Sequence, residues 1–418
     1  MKRTARVLIA LTALLAIILA AGAILYVSLR PPARKWVSWR LDDEQVRSLE
    51  SILPPAKTPG DPIIHRLDPN ASLESQAGAF SRSAILFTLD GLEPAFLAEK
   101  SALFAANATT GADSAEAAHA TIADAMPSSQ RKGGMHRGAR YALPLLNDHG
   151  ELAWQRASII SLGLEAPANF DELKNALAKA RSKGIWPLVA AGADDKALAL
   201  FVAMLVEARY GQAALVSLAE ALGIVAAAAS GTPADYRALF EAEPLKGSIA
   251  LLADWRRSAI LHPEWFRLEE RDIHALMEAK VAVFVAMSLS AHRRVPQRTI
   301  ERYDSIYFPA AREFSRQRAF LAPTIIAVPL AGSKRASRDA IDFARLLVSQ
   351  EVQSELSARS GLAPVHSSAE ARDKQSGDAR LWIAASNRPL PPLEAAFPTD
   401  AAFKEFAAQL REAIATAR

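Results

Sequence analysis

The sequence predicts an α/β protein of two lobes preceded by one N-terminal transmembrane helix, and three observations carry that prediction. At 418 residues, half of them apolar, the chain exceeds what one core ordinarily organises and suffices for two lobes of roughly 150–200 residues each. Past the N-terminus, short β-rich runs alternate with helical patterns, the order that builds parallel α/β units. Val7 to Val27 runs without a charge, and as a helix it measures about 31 Å, enough to cross the hydrocarbon layer.

The only A-x-A-like cleavage site in that segment, Ala21-Gly22-Ala23, would leave Ile24-Leu25-Tyr26 as a greasy new terminus. Residues 1–35 therefore read as a cytoplasmic tip, an uncleaved signal anchor and a short linker. Lys2, Arg3 and Arg6 face Arg30, Arg34 and Lys35 across the span, so the positive-inside rule favours an inside N-terminus only slightly. Pro31-Pro32 ends the helix. Strands follow at 35–40, 62–68 and 83–91, with helices at 41–53 and 72–80 between them. An alanine-rich helical tract covers 92–126, then a loop at 128–138 and a strand at 139–145. The middle is helical at 155–163, 170–183, 194–210, 211–224, 233–241, 246–259 and 269–278, with strands at 186–191 and 281–287. Later strands fall at 305–309 and 323–329, and helices fill most of 337–418.

Near the C-terminus, Ala340, Phe343, Ala344, Leu347 and Val348 form an apolar stripe at helical spacing, with Ser337 expected as N-cap. Ser349 caps a second helix that turns Val352 and Leu356 inward. Gly361 stands where a left-handed residue closes that helix, and Pro364 prevents its resumption. Ala340-x-x-Phe343, Leu347, Ser349-x-Glu351-x-Gln353 and Gly361-x-x-Pro364 resemble the C-terminal helices of family 1 extracellular solute-binding proteins, the maltose-binding-protein-like receptors of ABC importers. "APANFDELKNALAKARSKGIWPL" (166–188) is similar to the family's proline, aromatic, Asp-Glu-Leu helix closed by Gly-Ile-x-Pro-Leu. "RYALPLLNDHGELAWQRASIISLGL" (140–164) is similar to its Tyr-x-Leu-Pro strand, interlobe crossing and following helix.

The resemblance covers about 35–418 and implies a two-lobe periplasmic-binding-protein-like fold with an interlobe cleft. The expected division places 36–145 plus about 289–325 in the first lobe, and 146–288 plus about 326–418 in a second, helix-rich lobe. The hairpin around Gly361 is then a packed, structural part of the second lobe. Two stretches depart from the family: Trp154-Gln155 stands where Tyr-Asn often follows the interlobe strand, and "MSLSAHRR" (287–294) replaces a Gly-Trp pair.

Cleft residues belong just past strand ends and on crossings, and combine an aromatic face with donors and acceptors. Trp39, Thr88, Asp90, Asn147, Trp154, Ser288, Ser290, His292 and Arg293 meet that description. Trp154 matches a family position near the cleft and would stack on a sugar, while the Arg293 fork suits a carboxylate, phosphate or hydroxyls. Each has a plainer alternative: Trp39 as a core aromatic, Asp90 as a turn former with Gly91, His292 and Arg293 as a solvated loop. Trp186, Trp255, Trp265 and Trp382 are expected to pack in cores.

Composition narrows function further. The 49 basic and 45 acidic residues leave +4 without a long basic run, so no nucleic-acid partner is expected. Without cysteine the chain has no disulfide, thiolate site or lipid attached through an N-terminal cysteine, and the apolar anchor would do the tethering. Ser129-x-x-Lys132 lacks the partner motifs of serine acyltransferases. The eight histidines are scattered without His-Glu-x-x-His, and with no P-loop ATP belongs to a separate ATPase. No catalysis, cofactor or metal is expected. The resemblance implies a membrane-anchored, outward-facing receptor that delivers a sugar or other polyhydroxylated solute to ABC permease subunits by lobe closure. The alternative is a degenerate solute-binding fold acting as an interaction protein at the membrane.

Overall fold

The computed structural model describes residues 35–55, 63–80, 83–104, 126–229, 233–316, 318–321, 323–387 and 389–417. The expected transmembrane helix lies outside them. The principal strands are β1 (Lys35–Ser38), β2 (Ile64–Arg66), β3 (Ser83–Leu89), β4 (Leu143–Asn147), β5 (Gly150–Gln155), β6 (Trp186–Ala190), β7 (Ala282–Ser288), β8 (Tyr303–Ile306), β9 (Thr324–Pro329) and β10 (Ala363–Pro364). The principal helices are α1 (Asp43–Glu50), α2 (Phe170–Ser182), α3 (Asp195–Ala228), α4 (Leu245–Arg257), α5 (Glu270–Glu278), α6 (Leu289–Arg294), α7 (Lys334–Leu347), α8 (Gln350–Ser360), α9 (Lys374–Ala385) and α10 (Asp400–Thr416).

Two sheets organise these elements. The first has the order β10-β4-β9-β3-β1-β2, with β1 parallel to β2 and β3 and β9 antiparallel to β3 and β4. The second has the order β8-β5-β7-β6. Local chemistry starts the helices where expected. Asp42 caps α1 by accepting from Glu44 N and Gln45 N, at 2.9 and 2.8 Å, while the Gln45 side chain accepts from Asp42 N at 3.0 Å. Asn169, Asp194 and Ser349 cap α2, α3 and α8 with their side-chain oxygens. The cap of α7 is Ser333 rather than Ser337. Nothing in 334–336 opposes helix, so α7 begins at the earlier of two serines one turn apart.

Helix α3 joins the two helices expected at 194–210 and 211–224. Gly211 interrupts it with φ 82° and ψ 169°, a conformation open to glycine, and a Cβ there would come within 2.8 Å of the Phe314 ring. Among the described helices α3 is the one long and apolar enough to cross a membrane. Its Leu198, Phe201, Val202, Leu205, Leu215, Leu218 and Leu222 instead build the core of the second lobe.

The division of the chain between lobes differs from the expectation in two places. Strand β8 pairs with β5 in the second sheet, and Val295, Ile300 and Tyr303 are buried with Val285 and Met287, so 295–306 belongs to the second lobe. Strand β9 lies between β3 and β4 in the first sheet, and Ala340, Ala344, Leu347, Val348, Leu356 and Leu362 share a core with Val37, Leu86 and Leu145. The α7–α8 hairpin is therefore a first-lobe element, and only the end of the chain, with Leu390, Leu393, Phe403 and Leu410, returns to the second. A run of Val, Ile and Ala declares a buried strand without saying which sheet receives it. That choice rests on pairing between residues more than a hundred positions apart.

The connections between the lobes run side by side. Asn147 faces Thr324 and Ala363 in register, and Asp148 N donates to Pro323 O at 3.1 Å. Gly361 closes α8 at φ 73°, and a Cβ there would stand 2.6 Å from Arg293 Nε. Gly361→Val should thus lower the stability of the first lobe by about 1–2 kcal/mol, the cost of a side chain in the left-handed region, as read from the shift in its urea transition. An unchanged midpoint would refute the constraint.

Candidate interlobe binding site

The lobes enclose a cavity of about 630 Å³, within the range of small-molecule sites. The first lobe supplies Asp42–Gln45 and Arg47 of α1 and Leu89 at the end of β3. The crossings supply Asp148 and Pro323. The second lobe supplies Ala286–Ser288, Ser290 and Arg294, with Leu200, Ala203, Leu215, Val216 and Ala219 of α3 and the returning Leu390–Glu394.

Asp148 is the central polar group. It is 5% exposed, and its carboxylate accepts from His149 N at 2.9 Å, from Ser290 N at 3.0 Å and from the Ser290 hydroxyl at 2.5 Å. Burial raises its pKa above the ordinary aspartate value. Oδ1 takes two of these bonds and Oδ2 one, so Oδ2 keeps a lone pair for a ligand donor. Ser288 caps α6 by accepting from Ala291 N at 3.1 Å and shares a hydrogen bond with Ser290 at 2.8 Å.

Two arginines tie the lobes together beside the cavity. Arg294 of α6 donates to Glu44 of α1 at 2.5 Å and forms a two-pronged pair with Glu270. Burial opposes its charge, yet these carboxylates hold its pKa above the usual arginine value. Arg40, just past β1, donates to the carbonyls of Phe397 and Glu394 at 2.8 and 3.0 Å. Glu394 in turn pairs with Lys196 at 3.4 Å.

Of the residues singled out from sequence, Ser288 and Ser290 line this cavity. Trp39 does not: it is buried in the first-lobe core and its indole donates to Asp68 O at 3.2 Å. Thr88 is buried, with its hydroxyl on Trp39 O at 3.0 Å. Asp90 turns away from the cavity and accepts from Gly134 N at 3.1 Å and Tyr141 OH at 3.3 Å. Asn147 is fully buried and pins the crossings, accepting from Thr324 Oγ1 at 2.8 Å and Gln130 Nε2 at 3.2 Å. Trp154 stands on β5 opposite Phe284 and Asp304, packed on the second-lobe core, and does not line this cavity. Arg293 forms an ion pair with Asp373, and burial followed by nearby Arg372 lowers its pKa to about 10.

His292 is fully buried. Its Nδ1 meets Glu151 Oε1, and Ser305 Oγ lies 3.2 Å from the same nitrogen. Glu151 Oε2 is 3.4 Å from His149 Nε2, which makes a sealed His–Glu–His cluster under the crossing. Sequence reasoning missed Asp148, one residue beyond Asn147; the signal available was a polar pair directly after an apolar strand. It also missed Glu44, Glu270 and Arg294, which meet only in three dimensions. Among the described residues no group of three His, Asp or Glu side chains is placed to hold a metal.

No family model matches the sequence, and no curated protein matches it. Solved structures do. The bacterial solute receptor AcbH, which prefers β-D-galactopyranose, superposes with a TM-score of 0.66 at 15% identity, over 92% of this chain and 94% of its own. The binding protein MsmE of Bacillus subtilis, in an open conformation, gives 0.66 at 12% identity over 93% and 94%. A Bacillus licheniformis sugar transporter bound to stachyose gives 0.54 at 13% identity over 91% and 98%. The fold of this chain is the two-lobed fold of the solute-binding proteins.

Proposed function

We propose that the chain is the solute-binding subunit of an ABC importer, held at the outer face of the cytoplasmic membrane by its uncleaved N-terminal segment. It acts by binding. The solute is a sugar or other polyhydroxylated molecule, and the closed form is read by permease subunits whose ATPase is a separate protein. The supporting observation is the cavity that both lobes line, with Asp148, Ser288 and Ser290 gathered at the crossing. Hydroxyl groups of a ligand can donate to the one and exchange hydrogen bonds with the others. Contacts from both lobes give a ligand differential affinity for the closed arrangement, the condition for driving closure. The likeness to a solute receptor that prefers β-D-galactopyranose and to a sugar transporter bound to stachyose agrees with this solute class.

A thermal-shift panel of mono- and oligosaccharides tests it. A receptor gains about 2.7 kcal/mol at a ligand concentration one hundred times Kd, and a panel without any saturable shift favours the alternative, an interaction protein built on a degenerate binding fold. The anchor has its own test. The full chain should sediment with membranes, whereas a chain beginning at Lys35 should remain soluble and folded. A mature protein that begins at Ile24 overturns the anchor.

A further inference from the structure

We propose that the ligand of this cavity is an amphiphile, a polyhydroxylated head carrying an aliphatic tail, rather than a free sugar; this rests on the solute-binding reading above. The cavity walls are segregated. One group of polar side chains gathers about α6: Asp148 on Ser290, Ser288 on Ser290, and Arg294 between Glu44 and Glu270. The opposite wall is mainly aliphatic, although Lys196, paired with Glu394, and Glu220 also line the cavity. Leu200, Ala203, Leu215, Val216 and Ala219 of α3 face the cavity together with Leu321, Leu390 and Leu393, and these belong to or pack on one apolar cluster.

Two features of that wall oppose a bare sugar. Among the described residues lining the cavity no Trp or Tyr is present, and the single Phe, Phe403, is sunk in the core at 1% exposure. A sugar ring therefore finds no aromatic face to stack on. Its hydroxyls against Leu200, Ala203, Leu215, Val216 and Ala219 would also lose water without gaining partners there, a cost that aliphatic side chains cannot offset. An alkyl or acyl chain reverses both terms. It covers the aliphatic wall and needs no partners, while the hydroxylated head remains with Asp148 and the two serines.

Each buried methylene should improve binding roughly fourfold when fully covered, so a short tail gives a measurable gain. The experiment compares methyl and hexyl β-glycosides of glucose, galactose and maltose by equilibrium binding to the full chain in lipid nanodiscs, with empty nanodiscs subtracting partition into lipid. For at least one head, the hexyl glycoside should bind tenfold or more tighter than the methyl glycoside. Val216→Gln and Ala219→Glu, both on the partly exposed half of α3, should cut that hexyl-to-methyl ratio at least threefold. Asp148→Ala should weaken both glycosides by a similar factor and leave the ratio standing. The ratio is insensitive to the folded fraction, so a poorly folding variant does not mimic the result. Methyl glycosides that bind as tightly as hexyl ones overturn the amphiphile while leaving the sugar receptor intact. If neither series binds, the amphiphile reading falls, while the saccharide panel decides the solute-binding reading.

Discussion

Glu151→Ala should lower the unfolding free energy by about 2–3 kcal/mol, the cost of leaving the buried imidazole partner of its carboxylate without an acceptor. The carboxylate and the rings of His149 and His292 are all fully buried, so no water can replace the lost acceptor. Burial is the largest influence on Glu151 and works against its charge, but His292, His149 and Ser305 together hold the carboxyl below the usual glutamate value. A lowered pKa contributes stability that is fully present above the ordinary value of about 4.3 and is lost as pH falls through the lower value of the folded state. The difference between wild type and Glu151→Ala should therefore be largest near neutrality and narrow in acid, as followed by calorimetry from pH 7 to pH 3. Glu151→Gln, which keeps the shape and an acceptor, should cost less. Equal melting temperatures for wild type and Glu151→Ala at pH 7 would show that the cluster does not hold the crossing.

Asp148→Ala should weaken solute binding by about 1.5–3 kcal/mol, the range for a hydrogen bond to a charged group, or roughly 10–100-fold in Kd. The site pairs this acceptor with a pKa raised by burial. Protonation removes acceptor capacity, so affinity should decline as pH falls, beginning at a higher pH than a solvated aspartate would show. Stability has the opposite sign. The folded state holds this proton more tightly than the unfolded one, so the cost of the buried charge is relieved as pH falls through the raised value. Titration calorimetry with a sugar found in the panel, for wild type and Asp148→Asn between pH 7 and pH 4, separates these effects: wild-type affinity should slope with pH and that of Asp148→Asn should not. Wild-type affinity for Asp148→Ala would remove Asp148 from the site.

What the sequence determined by itself is what neighbouring residues decide. Asp42, Asn169, Asp194 and Ser349 start helices because each side-chain oxygen reaches an amide within the next few residues. Gly361 ends α8 because glycine takes up the left-handed φ there at no side-chain cost. The strands at β1, β3, β6, β7 and β9 follow from short apolar runs, and the chain's length with its apolar half pointed to two lobes. The tertiary structure decided everything that depends on a distant partner. Thr324–Pro329 becomes a central strand of the first sheet and Tyr303–Ile306, with Asp304 and Ser305 between its apolar ends, an edge of the second, because long-range pairing decides which sheet receives each strand. Trp39, just past β1, is buried in the first-lobe core, because burying an indole there removes more apolar surface from water than leaving it on a cavity wall, and Trp154 packs half-buried on the second-lobe core. Asp148 rather than Asn147 lines the cavity because successive residues of an extended chain point to opposite sides, and the pairing of β4 with β9 turns Asn147 inward onto Thr324.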